Sequence, residues 1–128
     1  MKPEDFFKNG KFYVWKEVFA VVKSKKPLAG AFAVIQDKNE TTVIIDQSKF
    51  SETAIEMEKG WKILTFEMVL PFGLVGFLAK ISKALADENI SLFAISAYST
   101  DHILVKEKDL SKAISKLKTL GLSIKQRA

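Results

Sequence analysis

No cysteine occurs in the 128 residues. Disulfides, thiolate metal sites and thiol catalysis are therefore excluded, and the composition suits a reducing compartment. Histidine occurs once, as His102, which is too few for a typical histidine-built zinc site. Arginine also occurs once, as Arg127, among 20 basic residues set against 15 acidic ones. Recognition of phosphates and base edges leans on arginine forks. A net charge of +5 spread over dispersed lysines reads instead as a solvated surface. Long apolar runs are missing too. The longest, near Leu70–Ala79, is broken by Pro71, Gly73 and Gly76 and is too short to span a bilayer. The opening MKPEDFFKNGK lacks the apolar core of a secretory signal. The expectation is a soluble, cytoplasmic protein without membrane contact.

What the chain does have is apolar content, 48% of residues, enough for one ordinary core. Its period changes along the second half. In ILTFEMVL, residues 63–70, Leu64, Phe66, Met68 and Leu70 alternate with Thr65 and Glu67, as in a strand. Pro71-Phe72-Gly73 breaks it. Leu74, Phe77, Leu78, Ile81 and Leu85 then fall on one helical stripe, ended by Asp87-Glu88-Asn89. Ile90–Ala97 is apolar on both faces and reads as a central strand. His102–Lys106 is a further strand. Asp109 is placed to cap a helix bearing Leu110, Ala113, Ile114, Leu117 and Leu120, stopped by Gly121. Leu122–Lys125 is a short last strand. The order β-α-β-β-α-β is that of a ferredoxin-like unit, α+β, with an antiparallel sheet and both helices on one face.

The first half is β-rich and less regular. Phe12–Lys23 is strand-like, with a bulge or break at Lys16-Glu17. Ala31–Gln36 and Thr42–Asp46 form a hairpin across Asp37-Lys38-Asn39-Glu40. Gly60-Trp61 is the expected boundary, dividing the chain into 1–59 and 60–128.

Three constellations carry candidate chemistry. Leu70-Pro71-Phe72-Gly73-Leu74-Val75-Gly76 runs from strand into helix, where unpaired N–H groups favour an anion. It lacks the lysine and hydroxyl of a Walker loop and the spacing of a dinucleotide fingerprint. A tight turn without ligand is the other reading. Tyr98-Ser99-Thr100-Asp101-His102 lies at the hairpin between the two inner strands. Asp101 and His102 sit side by side, but consecutive strand residues face opposite ways, and no nucleophile completes a catalytic set. Asp101 alone can hold an ammonium group, or can stabilise its own turn. The aromatics read as core. An RNA-binding ferredoxin-like domain carries aromatics on its third strand, whereas this one reads HILVK, so nucleic acid is not an expected partner.

The strand–PFGLVG–helix, followed by ADENISLFAISAYSTDHILVKE and DLSKAISKLKTLG, resembles an ACT domain. The likeness is strongest to a small tandem family in which a β-rich, degenerate ACT-like half, here 1–59, precedes an ACT domain, here 60–128. Phe93–Glu107 follows that family's second hairpin almost throughout. Similar tandem units occur in aspartate kinase regulatory regions and in cytosolic arginine sensors. The resemblance implies a non-enzymatic regulator without cofactor or metal. It would bind an amino acid or similar small ligand at an interface between ACT units, form a homodimer and act on a separate protein partner. The ligand carboxylate would meet Phe72, Gly73, Leu74, Val75 and Gly76. Its ammonium would meet Asp101, with Ser96, Tyr98 and Thr100 nearby, and Thr42 and Val43 would close the pocket. Three positions depart from the family: Ala97 stands for Thr, Ser99 for Asp and His102 for a usual Tyr, although the arginine sensors also carry Asp-His there.

Overall fold

A computed structural model of the chain describes residues 7–8, 10–50, 54–67 and 76–125. The chain forms two compact units, Met1–Trp15 with Ile63–Ala128, and Lys16–Lys62. The units divide at Lys62–Ile63, a few residues beyond the boundary expected at Gly60-Trp61. The first fifteen residues belong with the second half. The stretch Phe12–Lys23 is accordingly two strands, β1 (Lys11–Val14) and β2 (Phe19–Ser24), separated at Lys16-Glu17.

The larger unit contains β1, the end of β5 (Glu56–Phe66), α1 (Phe77–Asp87), β6 (Leu92–Ser96), β7 (Asp101–Lys106), a 3-10 turn (Glu107–Asp109), α2 (Leu110–Thr119) and β8 (Ser123–Ile124). From β5 onward this is the β-α-β-β-α-β order. The hydrogen-bonded sequence of strands is β8-β1-β5-β7-β6, with β1 standing between the first and last strands of the ferredoxin-like unit. β1 runs antiparallel to β5, pairing Phe12 with Phe66 and Val14 with Leu64, and parallel to β8. Among the described residues β6 pairs only with β7. The central position expected from its apolar sequence is therefore corrected. It is an edge strand, and its Leu92, Phe93 and Ile95 are half-buried rather than enclosed.

The period in the sequence explains the core. The α1 stripe buries Phe77, Ile81, Ala84 and Leu85, and α2 buries Ala113 and Leu117. They meet Phe12, Leu64, Phe66, Ile103 and Val105, the even positions of β5 and odd positions of β7. Phe77 stacks on Phe7 at 5.1 Å and meets Phe66 edge-on at 5.4 Å. The opposite parity is buried as well: Ile63, Thr65, His102 and Leu104 are 9% exposed or less. Helix ends follow the expected signals with one change. Asn89 takes a left-handed φ of 61°, and the Ile90 N–H donates to the Leu85 carbonyl, closing α1. Gly121, at φ 105°, closes α2, and a Cβ there would lie 3.1 Å from the Phe7 carbonyl oxygen. Asp109 stands at the cap position of α2 but its side chain makes no capping bond. Asp109 is instead the last residue of the 3-10 turn that leads into the helix.

The smaller unit is a four-stranded antiparallel arrangement, β3 (Ala33–Gln36), β4 (Thr41–Asp46), β2, and residues 56–62 of β5, in that order. It has no helix among the described residues. One buried cluster is aliphatic, Ala20, Val22, Val43 and Ile45, with Leu28, Ala31, Phe50, Ala54 and Met57 against it, and Phe19, Ile44 and Trp61 are buried as well. The β3–β4 hairpin turns where the sequence predicts. Asp37 Oδ1 accepts from the Asn39 and Glu40 amides at 2.8 and 2.9 Å, and those bonds hold its carboxyl below the usual range. Asp46 does the same for Ser48, which lowers its pKa in turn. The buried Lys62 ammonium donates to the carbonyls of Lys16 and Glu17 at 2.9 and 3.1 Å, pinning the turn that precedes β2.

Candidate functional site

The hairpin between β6 and β7 gathers most of the polar residues singled out above. Its register pairs Ser96 with Asp101 and Ile95 with His102. The Ala97 N–H donates to the Thr100 carbonyl at 2.8 Å, so Tyr98 and Ser99 form the tip of a four-residue turn. Ser96 Oγ donates to Asp101 Oδ1 across the ladder at 2.5 Å. One carboxylate oxygen is thus held by the hairpin itself. Tyr98 projects from the tip, 85% exposed.

Asp101 and His102 do face opposite ways. Asp101 shares the parity of Ile103 and Val105, whose side chains meet the helices. His102 turns to the other side of the sheet, where it is 9% exposed. There a line of four side chains crosses three adjacent strands. Trp15 Nε1–H donates to Thr65 Oγ1 at 2.8 Å. Thr65 Oγ1 lies 2.7 Å from His102 Nδ1, and His102 Nε2 lies 3.1 Å from Thr100 Oγ1. Thr65 Oγ1 thus links the Trp15 indole to the imidazole, and Thr100 Oγ1 meets the ring's other nitrogen. Burial pushes the His102 pKa down from its ordinary 6.5, against a smaller upward pull from the Asp101 carboxylate.

Register also fixes which end of the unit carries the hairpin. Because Thr65 reaches His102, the end of β5 lies beside the start of β7. β5 leads on toward α1, whose first turn opens at Gly76, φ 93°, with the Lys80 N–H donating to the Gly76 carbonyl at 3.0 Å. No acidic residue occupies that first turn.

Of the expected ligand contacts, Ser96, Tyr98, Thr100 and Asp101 come together at one hairpin. Phe72, Gly73, Leu74 and Val75 lie outside the described residues. Thr42 and Val43 belong to β4 of the smaller unit. The Val43 side chain is fully buried in that unit's core. Thr42 lines an open cleft of about 570 Å³ with Lys23, Glu40, Glu56 and Glu58. Thr65 and Trp15 were not marked by the sequence. Thr65 was legible only as the polar partner in an alternating strand, and Trp15 only as core. Among the described residues no group of three His, Cys, Asp or Glu could hold a metal ion, and no helix is long and apolar enough to cross a membrane.

Comparison with known proteins adds the following. The family profile of the ACT domain matches residues 56–119. The human protein CASTOR3P is 31% identical over 91 residues, covering 62% of this chain and 56% of that protein. The chain thus spans little more than half the length of that relative. A crystallised protein of Agrobacterium tumefaciens superimposes with a TM-score of 0.81 at 19% identity, over 94% of this chain and 95% of that one. The regulatory subunit of aspartate kinase from Thermus thermophilus, in its ligand-free form, does so with a TM-score of 0.64 at 9% identity, over 87% and 95%. At these identities the two structures share a fold with this chain.

Proposed function

This chain belongs to the ACT-domain family, and from that premise we propose that it is a non-enzymatic sensor of an amino acid. ACT domains are regulatory and are linked to amino-acid sensing. The observation that carries the reading is the Asp101 carboxylate at the mouth of the β6–β7 hairpin. Ser96 holds Oδ1, which leaves Oδ2 to accept from an ammonium group. The same end of the unit carries the opening of α1, whose first N–H groups suit a carboxylate. An α-amino acid carries both charges a few bonds apart. In this reading Phe72–Gly76 receive the carboxylate, Asp101 receives the ammonium, and Ser96, Tyr98 and Thr100 complete the contacts. The protein works as a cytoplasmic homodimer and passes the signal to a separate protein. Pairing of two copies through β6 is favoured by its apolar, half-buried residues and by its place at the sheet edge.

A second reading is favoured by Tyr98. An 85% exposed tyrosine at a hairpin tip suits a protein contact, and the Ser96–Asp101 bond satisfies part of the carboxylate without a ligand. The chain would then be a ligand-free interaction module.

Thermal melts against the twenty amino acids separate the two. A ligand at about 100 times its Kd adds roughly 2.7 kcal/mol, or about 5 to 10 °C for a chain of this size. The expected outcome is a shift with one amino acid or a related group. Asp101→Asn, which keeps an acceptor for Ser96 but loses the charge, removes it. No shift with any of the twenty, or an equal shift in the Asn variant, rejects the sensor reading.

A further inference from the structure

β3 (Ala33–Gln36) ends the strand order of the smaller unit and, among the described residues, pairs only with β4. Val34 and Ile35 are 41% and 48% exposed although they are neighbours in a strand, so neither of its faces is fully covered. No charged side chain stands between residues 31 and 36. The strand therefore lacks the charges and prolines with which sheet edges are usually blunted. Its backbone shows what it offers. The Asp37 N–H donates to the Glu40 carbonyl at 3.1 Å, closing the hairpin. Alternation back along the strand turns the N–H and C=O of Ile35 and Ala33 toward β4, and those of Val34 and Gln36 toward the outer side. We propose that β3 pairs with β3 of a second copy, antiparallel and about a two-fold axis at Ile35, so that the sheet of one smaller unit continues into that of the other.

Hydrogen bonding and charge choose the register. Outward groups must meet outward groups, which leaves centres at Val34, Ile35 or Gln36. A centre at Val34 sets the Gln36 carbonyl against the Phe32 N–H, which already donates to the Ile44 carbonyl at 2.8 Å. A centre at Gln36 leaves the two Asp37 carboxylates only two residues apart along the pair, roughly 7 Å, where like charges repel. The centre at Ile35 has neither fault. Val34 of each copy faces Gln36 of the other, and every outward N–H and C=O of these residues finds a partner. Ile35 meets its own counterpart in a non-hydrogen-bonded pair, where side chains come closest. Asp37 falls opposite Ala33 and Lys38 opposite Phe32, so no like charges meet. A second copy is thus complementary in hydrogen bonds, apolar contact and charge. The contact uses residues of the smaller unit alone and rests on neither the sensor reading nor the pairing through β6. A chain that used both edges would join more than two copies.

The absence of cysteine makes the test direct. A non-hydrogen-bonded antiparallel pair holds its Cα atoms about 4.5 Å apart, within disulfide range, whereas a diagonal neighbour lies about 7–8 Å away, beyond it. Under mild oxidation Ile35→Cys should form a linked dimer about tenfold faster, or more, than Val34→Cys. An equimolar mixture of Val34→Cys and Gln36→Cys should link as a heterodimer. All three positions are exposed, so the substitutions leave the core intact. Ile35→Lys sets two ammonium groups against each other and should weaken self-association about tenfold or more in sedimentation equilibrium, with an unchanged circular dichroism spectrum. A wild type that stays monomeric from micromolar to millimolar concentration overturns the proposal. So does a dimer in which Ile35→Cys links no faster than Val34→Cys, the result expected if copies meet through β6 or another surface. Wild-type self-association of Ile35→Lys overturns it as well.

Discussion

The two compact units solve one problem with unequal means. Each has a sheet with a face to cover. In the larger unit two helices supply the cover, and Phe12, Phe66, Phe77, Ile81, Leu85 and Leu117 fill the space between. In the smaller unit the residues covering Ala20, Val22, Val43 and Ile45 come from irregular segments around Leu28, Ala31, Phe50 and Ala54. The cause is visible in the period of the apolar residues. Positions 77–85 and 110–120 repeat every three or four residues, whereas 25–32 carry Lys25, Lys26, Pro27 and Gly30 and repeat nothing. What the difference teaches is a division of labour. Helical cover gives the larger unit a helix start near the end of β5. The smaller unit has strands, turns and no such start among its described residues.

Substitutions can sharpen that contrast. Leu117→Ala should cost the most, about 2–5 kcal/mol, because it leaves a void among rings and branched chains in a fully buried place. Val22→Ala in the smaller core should cost less, about 1–2 kcal/mol, in proportion to the carbons removed. Chemical denaturation measures both. Exchange of the β2 and β4 amides in the Leu117→Ala protein then shows whether the units unfold together. If they do, the contrast is one of architecture and not of independent stability.

Thr65→Val should cost about 1–3 kcal/mol, since it removes the hydroxyl between Trp15 Nε1 and His102 Nδ1 and leaves both without it. The loss should be confined to the larger unit, seen as faster exchange in β1 and β7. A stability change near zero would mean that the chain of side chains across β1, β5 and β7 contributes nothing.

The smallest expected effect is a pH dependence carried by His102. Its folded pKa lies below the ordinary 6.5. The folded chain therefore binds fewer protons than the unfolded chain in this window. Its contribution is fully present above about pH 6.5 and is lost as pH falls through the folded value. Denaturation midpoints of wild type should drop across that interval relative to His102→Gln. Parallel curves for the two proteins would remove the imidazole from the account.

Several of these elements were legible in the chain and several were not, for reasons that can be named. The period-two run at 63–66 and the helical stripes at 77–85 and 110–120 announced themselves because one face of each is buried against one core. The Asp37–Glu40 turn was legible because its hydrogen bonds are local. The rank of β6 was misjudged, since an apolar strand at an edge and one at the centre read alike. Val43 looked available beside Thr42, but alternation sends it inward. Opposition of Asp101 and His102 followed from strand geometry alone. The partners of His102 did not, because Trp15 and Thr65 lie 50 positions apart from each other and Thr65 lies 37 from His102.

The sequence by itself determined the local elements, the β-α-β-β-α-β order of the larger unit and the polar hairpin between its inner strands. These depend on periodicity and turn chemistry, which act over a few residues. Only the tertiary structure decided that β1 inserts between β5 and β8, that β6 is an edge among the described strands, and that Thr65, itself held by Trp15, bonds the histidine. Those outcomes depend on which distant strands become neighbours, and hydrogen bonding between strands carries no mark of its partner along the chain.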